Sequence, residues 1–364
     1  MDRITGLISA NYETKALGSL TSERTIASLP YGGRYRMIDF PLSNMVNSGI
    51  QTVGLITPYK YRSVMDHIGA GKEWSLDRKN GGLFILPGSV FGVSSSNSKF
   101  LLRDLKRNEV FLKRSQAEYV LLTSSDTVYN MDYRPLVERH IETGADITMV
   151  YREATSDAPN DMGLVLSGDQ VTGFTRGGLK GEYLFRNCFV ISRALLMNIL
   201  EWYAAVDYLD IFEALESDLG KMDIRGYRFS GYIRSIATVR DYFEHSMELL
   251  RSEVREELFS RENPIMTKVQ DSVPTKYLAG AVVKNALIPA GCVIQGTVEN
   301  SILFRGVKVL PGAVVKNSIL MQSCVVEPGA VVENAIIDRG NTIAAGTVLK
   351  GSPDNVFILN KHMI

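Results

Sequence analysis

The sequence predicts a two-part chain, with a Rossmann-like, mostly parallel α/β domain followed by a parallel β-helix. Three observations predict it. Segments rich in β-branched and aliphatic residues alternate with helix-patterned stretches over the first two thirds of the 364 residues. A five-residue pattern then recurs from about Leu278 onward. Pro-Gly and Ala-Gly turns keep similar time with it.

Strands are expected at Ile4 to Ser9, Thr52 to Ile56, Tyr119 to Ser124, Ile147 to Tyr151 and Phe185 to Ile191. Helices are expected between them, as at Tyr133 to Glu142 and Asp210 to Leu219. Alternating strands and helices imply a sheet covered on both faces. Ligands of such sheets bind beyond the carboxyl ends of the strands, here near Ala10, Thr57 and Ser125. A helix over Arg240 to Ser260, with Phe243, Met247, Leu250 and Val254 on one face, reads as a spacer. The expected division is therefore 1–239 for the α/β domain, 240–277 for a helical linker and 278–364 for the β-helix.

The repeat is a charged residue, Asn, a small residue and two aliphatics. It occurs at Lys284 to Ile288, Glu299 to Leu303, Lys316 to Leu320 and Glu333 to Ile337, with the asparagines 15, 17 and 17 residues apart. The turns fall at Gly291, Gly312, Gly329 and Gly346. About three hexapeptides per coil gives this period. Short apolar strands stack, and Asn or Gly takes the left-handed conformation at the corners.

Composition narrows the function classes. Lys plus Arg equals Asp plus Glu at 40 each, so no global charge recruits nucleic acid or a membrane surface. Cys188, Cys292 and Cys324 are scattered and odd in number, which suits reduced thiols rather than a disulfide framework or zinc site. His67, His140, His245 and His362 lie far apart and read as surface or structural residues. The start, Met1-Asp2-Arg3-Ile4, lacks a basic-then-apolar secretory pattern, and a cytoplasmic protein is expected.

The stretch Pro30-Tyr31-Gly32-Gly33-Arg34-Tyr35-Arg36-Met37-Ile38-Asp39-Phe40-Pro41-Leu42-Ser43-Asn44 resembles the glucose-1-phosphate adenylyltransferase (ADP-glucose pyrophosphorylase) family. So do Asn47 to Ile50, His67 to Trp74 and Asp77 to Gly82. The resemblance covers essentially the whole chain. It implies a nucleotidyltransferase-like α/β domain, a left-handed β-helix and a place in glycogen synthesis, where ATP and glucose 1-phosphate give ADP-glucose and pyrophosphate. Within the family the chain looks most like the second subunit that some bacteria make beside the catalytic one.

Against the family's motifs the active-site residues are altered. Where the family has Gly-Gly-x-Gly-x-Arg, this chain has Asn11-Tyr12-Glu13-Thr14-Lys15-Ala16. Glycines let backbone N–H groups approach a triphosphate, and the Arg neutralises its charge. Here every glycine has acquired a side chain and Ala16 holds the Arg position. Ile26 replaces a family Lys. Phe100-Leu101-Leu102-Arg103-Asp104 stands where a nucleobase loop reads Gly-Thr-Ala-Asp-Ala. Asp126 matches the first metal aspartate, but Ser235 replaces the second, and a hydroxyl is a poor ligand for a hard cation. Thr175, Arg176 and Gly177 replace residues that would hold the sugar and its phosphate.

The resemblance therefore implies a non-catalytic or weakly active regulatory subunit in a heterotetramer with a catalytic homologue. Mg²⁺ is implied for that partner and no cofactor for this chain alone. Phe304, large for a narrow coil interior, is the candidate outward anchor for the partner. Two other classes remain open. Lys15, Arg24, Arg34, Lys72 and Asp126 could rebuild an active site. A β-helix acyltransferase is disfavoured, because Leu278 to Gly351 contains no histidine to act as general base.

Overall fold

The computed structural model describes residues 3–12, 15–57, 60–89, 99–155 and 157–360. Glu13, Thr14 and His362 lie outside them.

The α/β domain is built on nine strands: β1 (Ile4–Ser9), β2 (Thr52–Thr57), β3 (Gly82–Pro87), β4 (Tyr119–Ser124), β5 (Ile147–Glu153), β6 (Ala158–Ser167), β7 (Gln170–Gly178), β8 (Tyr183–Ser192) and β9 (Ile224–Arg228). Their order across the sheet is β3-β2-β1-β4-β8-β5-β9-β7-β6. β1 is parallel to both β2 and β4, and β2 is parallel to β3. β8 runs antiparallel to β4 and β5, and β7 antiparallel to β9 and β6. The central strands β1 and β4 are buried almost throughout, as continuous apolar runs in a two-sided sheet should be.

Helices cover the sheet. The main ones are α1 (Asp39–Asn47), α2 (Arg134–Thr143) and α3 (Arg193–Trp202). The expected Asp210 helix is a short α-turn, Ile211–Leu215, that continues as 3₁₀ helix to Lys221. The spacer helix is broken into α4 (Val239–Met247) and α5 (Ser252–Leu258). Thr238 starts α4 with a capping box, its hydroxyl accepting from Asp241 N at 3.0 Å while the Asp241 carboxylate accepts from Thr238 N at 2.8 Å.

The repeat region is a stack of parallel strands in two sheets, from Lys276–Tyr277 to Phe357–Leu359. Asn285, Asn300, Asn317 and Asn334 all have φ between 44° and 48°. Gly291, Gly312, Gly329 and Gly346 are also left-handed. A carboxamide side chain eases that conformation by bonding locally, which explains why Asn recurs at these corners. The coil interior is filled by residues such as Ile294, Val309, Val326 and Ile343.

A second apolar cluster joins the two parts. Ile302, Phe304, Ile319, Met321 and Ile336 pack in one cluster with Tyr31, Phe40, Tyr242 and Leu258. Phe304 does leave the coil interior, but it is 1% exposed, covered by its own α/β domain. That corrects the expectation of a partner-facing anchor, because the apolar face is already used within the chain. Arg24 adds a polar tie across the same seam. Its guanidinium pairs with Asp338, both nearly buried.

Candidate functional site

The carboxyl ends of β1 and β4 lie side by side, with Ser9 opposite Ser124. The segments leaving these strands form a corner, and its contents explain the altered motif. Asn11 is 2% exposed and donates from Nδ2 to Asp104 Oδ2 at 2.7 Å and to the Ser89 carbonyl at 3.2 Å. Gly88 makes room for it, since a Cβ there would lie 2.4 Å from the Asn11 carboxamide. Burial raises the Asp104 carboxyl above its usual range, with the Asn11 bond pulling the other way.

Tyr12 is 1% exposed. Its hydroxyl lies 3.1 Å from Ser125 Oγ and accepts from Ser125 N at 3.0 Å. The phenol is held protonated far above its normal range, by burial first and by the nearby Asp126 charge second. Tyr12 and Ile26 both belong to the apolar cluster that reaches Phe304. Two positions expected to have lost phosphate contacts are thus part of the packing between domains. Lys15 and Ala16, by contrast, are exposed.

Asp126 is 2% exposed, and both of its oxygens are engaged. Oδ2 pairs with Lys99 Nζ at 2.5 Å. Oδ1 accepts from Ser124 Oγ at 2.5 Å and Thr127 Oγ1 at 3.1 Å. Ser235 reaches this corner because Ile233–Ser235 pairs antiparallel with Thr127–Tyr129, which sets it opposite Thr127. Its hydroxyl is 3.4 Å from Thr127 Oγ1. This donor set does not fit Mg²⁺. One carboxylate is already neutralised by an ammonium, and its neighbour is a neutral hydroxyl bonded elsewhere. Among the described residues no group of three or more His, Cys, Asp and Glu side chains is placed to hold a metal.

Lys99 escaped the sequence reading. Its only signal was a lysine next to the altered base-loop segment, and residue 99 is not near residue 126 in sequence. The Ser9 hydroxyl fixes it by donating to the Lys99 carbonyl. Lys99 also lies 6.0 Å from the Tyr12 ring centroid. Asn11, Tyr12, Lys99, Asp126 and Ser235 are therefore gathered in one corner.

The sugar side differs. Thr175, Arg176 and Gly177 line a cleft of about 200 Å³ with Phe100, Phe174 and Phe212. Asp161, Asp210, Glu213 and Glu216 supply carboxylates to its wall. Asp161 is spoken for by Arg186 at 2.8 Å. Asp210 accepts from Phe100 N at 2.7 Å and Phe212 N at 3.0 Å, and burial pushes its carboxyl up to about 6. Of the cations proposed for a rebuilt site, Arg24 is committed to Asp338, and Arg34 lies over the Tyr35 ring at 4.8 Å.

The motif that carries the resemblance is tied into the fold by its side chains. Asp39 pairs with buried His67 at 2.5 Å, and Trp74 Nε1 donates to Ser43 Oγ at 3.1 Å. Tyr31 donates to the His245 carbonyl at 2.8 Å, and Tyr242 to that of Pro30 at 2.8 Å.

Comparison with known proteins agrees with both halves. Residues 13–175 match the model of the nucleotidyl transferase family, and residues 273–354 match the GlmU-like C-terminal hexapeptide family. The chain is 35% identical over 312 residues to the glycogen biosynthesis protein GlgD of Bacillus subtilis, covering 85% of this chain and 82% of that protein. It is 37% identical over 314 residues to GlgD of Geobacillus stearothermophilus, covering 86% and 83%. It is 33% identical over 330 residues to glucose-1-phosphate adenylyltransferase of Clostridium botulinum, covering 86% and 83%. With a nucleotidyltransferase domain, a hexapeptide β-helix and these relatives, the chain belongs to the glucose-1-phosphate adenylyltransferase family, which includes the glycogen biosynthesis protein GlgD.

Proposed function

We propose that this chain is a non-catalytic or weakly active regulatory subunit of glucose-1-phosphate adenylyltransferase in cytoplasmic glycogen biosynthesis. It modulates a catalytic homologue that makes ADP-glucose and pyrophosphate from ATP and glucose 1-phosphate, in a heterotetramer. The observation that supports this best is the corner itself. Tyr12 fills space where the family's glycines admit phosphate, and Lys99 neutralises Asp126 where a metal ion is needed. Losing one preorganised electrostatic contact costs about 10²–10³ in rate. Losses within one site do not simply multiply. Even so, phosphoryl-type transfer depends almost wholly on positioning and charge stabilisation.

A subunit without chemistry can still act by binding one conformation of its partner more tightly than another. A coupling of about 1–3 kcal/mol is typical of such effects. The test is to assay ADP-glucose formation by the chain alone, by a catalytic homologue alone and by the mixture, while following mass. Negligible activity alone and altered kinetics on co-assembly are expected. Turnover by the isolated chain at a rate comparable with an intact enzyme would instead establish an active enzyme with a rebuilt site.

A further inference from the structure

The cleft beside Thr175 and Arg176 has a strained residue in its wall. Asn187 lines it, and φ there is 51°. Among the described non-glycine residues of the nine-stranded sheet, no other is left-handed. The strain sits where β8 breaks register against β5, between Phe185 and Phe189. Asparagine tolerates this conformation best when its side chain bonds locally. Here the residue is only 9% exposed, and its carboxamide makes no hydrogen bond within the chain. Uncompensated strain of this kind collects where a ligand is held.

The rest of the wall is apolar rings and acids. Phe185, Phe174 and Phe100 pack around Phe212, with ring centroids at 5.1, 5.8 and 6.3 Å. Lys99 is taken by Asp126, and Asp161 by Arg186. That leaves Asp210, Glu213 and Glu216 against one cation, Arg176, among the described lining residues. A phosphate group would meet three carboxylates there, and like charge set against a ligand rejects it. Hydroxyl groups suit the same wall. Each Asp210 oxygen accepts one backbone N–H and keeps acceptor capacity, while a carboxamide both donates and accepts. Rings beside such groups fit a molecule with apolar C–H faces and a rim of hydroxyls.

We infer that this cleft binds an unphosphorylated hexose, through Asn187, Asp210 and Glu216 and against the Phe174 and Phe212 rings, and that it refuses sugar phosphates. The site concerns binding by this chain alone, so it stands or falls separately from the subunit reading.

Isothermal titration calorimetry of the full chain with D-glucose, glucose 1-phosphate and glucosamine tests the site. Glucose is expected to bind saturably at millimolar concentrations, and glucose 1-phosphate at least about tenfold more weakly. Asn187→Gly separates binding from folding. Glycine takes the left-handed angle freely, so urea denaturation should show a fold at least as stable. Its glucose affinity should nonetheless fall about tenfold or more, because the carboxamide is gone. Glu216→Lys should raise affinity for glucose 1-phosphate about tenfold. Full glucose affinity in Asn187→Gly would overturn the site, as would the absence of saturable glucose binding to the unaltered chain. Glucose 1-phosphate binding as tightly as glucose would mean that the acids do not select. Glucosamine binding about tenfold tighter than glucose would mean that the cleft reads positive charge, and either result would overturn the ligand class.

Discussion

The corner beyond β1 and β4 and the coils of the β-helix follow opposite rules. In the coils a residue type recurs because the backbone demands it, as with Asn285, Asn300, Asn317 and Asn334 at one left-handed turn. In the corner each residue meets a different local need, with Tyr12 filling buried space and Lys99 paired with the Asp126 carboxylate. Scaffold positions answer to packing, and binding positions answer to a ligand.

The largest test of this contrast is catalytic. Asp126→Asn in this chain should change the activity of a mixed assembly by less than about twofold. The equivalent change in the catalytic homologue should cost about 10³ or more. Equal losses from the two changes would mean that the corner still does chemistry.

Next in size is the ion pair. Lys99→Met leaves Asp126 buried without its cation and should destabilise the chain by about 3–5 kcal/mol in urea denaturation. Adding Asp126→Asn should recover much of that loss. If the single change proves neutral, the ammonium is not what holds the corner shut.

The coils give the matching structural test. Asn317→Ala should cost about 1–2 kcal/mol, because alanine resists the left-handed turn, whereas Asn317→Gly should be nearly neutral. An equal cost for both would show that the carboxamide's bonds matter more than its backbone angle.

The smallest effect compares one thiol from each region. Burial pushes Cys188 in the α/β domain and Cys324 in the coils up to about 12. Both should resist iodoacetamide at pH 8 in the folded protein. The sign of the pH effect follows from the raised folded pKa. This contribution to stability is fully present below pH 9 and is lost as pH rises towards 12, because only the unfolded thiols ionise easily. Rapid labelling of either cysteine at pH 8, with the fold intact, would break the prediction for that region.

Much of the architecture was legible in the sequence. The limits of β1 and β4 coincide with the apolar runs Ile4 to Ser9 and Tyr119 to Ser124, because buried parallel strands leave little room for polar residues. The coil corners were legible because one residue type meets one backbone need. The difference from the family's glycine-rich motif could be noticed because Asn11 to Ala16 contains no glycine, and absence of a residue type needs no coordinates. Lys99 was not legible, since its meeting with Asp126 depends on how the segment after residue 98 returns to the sheet. Phe304 was legible as too large for the coil, but a side chain leaving one core can enter another. Sequence pattern does not tell an internal seam from an external one.

That seam has a consequence for how the protein is made. Tyr31 and Phe40 are synthesised early, whereas Phe304, Met321 and Ile336 that cover them come near the end. At about 5–20 residues per second, the ribosome takes roughly 15–60 s to deliver the cover. Until then the first domain shows an aromatic face to the cell, and newborn chains should depend on chaperones over that interval more than their charge balance suggests. A stop codon before the coils would leave that face bare for good, so truncated chains should aggregate rather than persist as a working first domain.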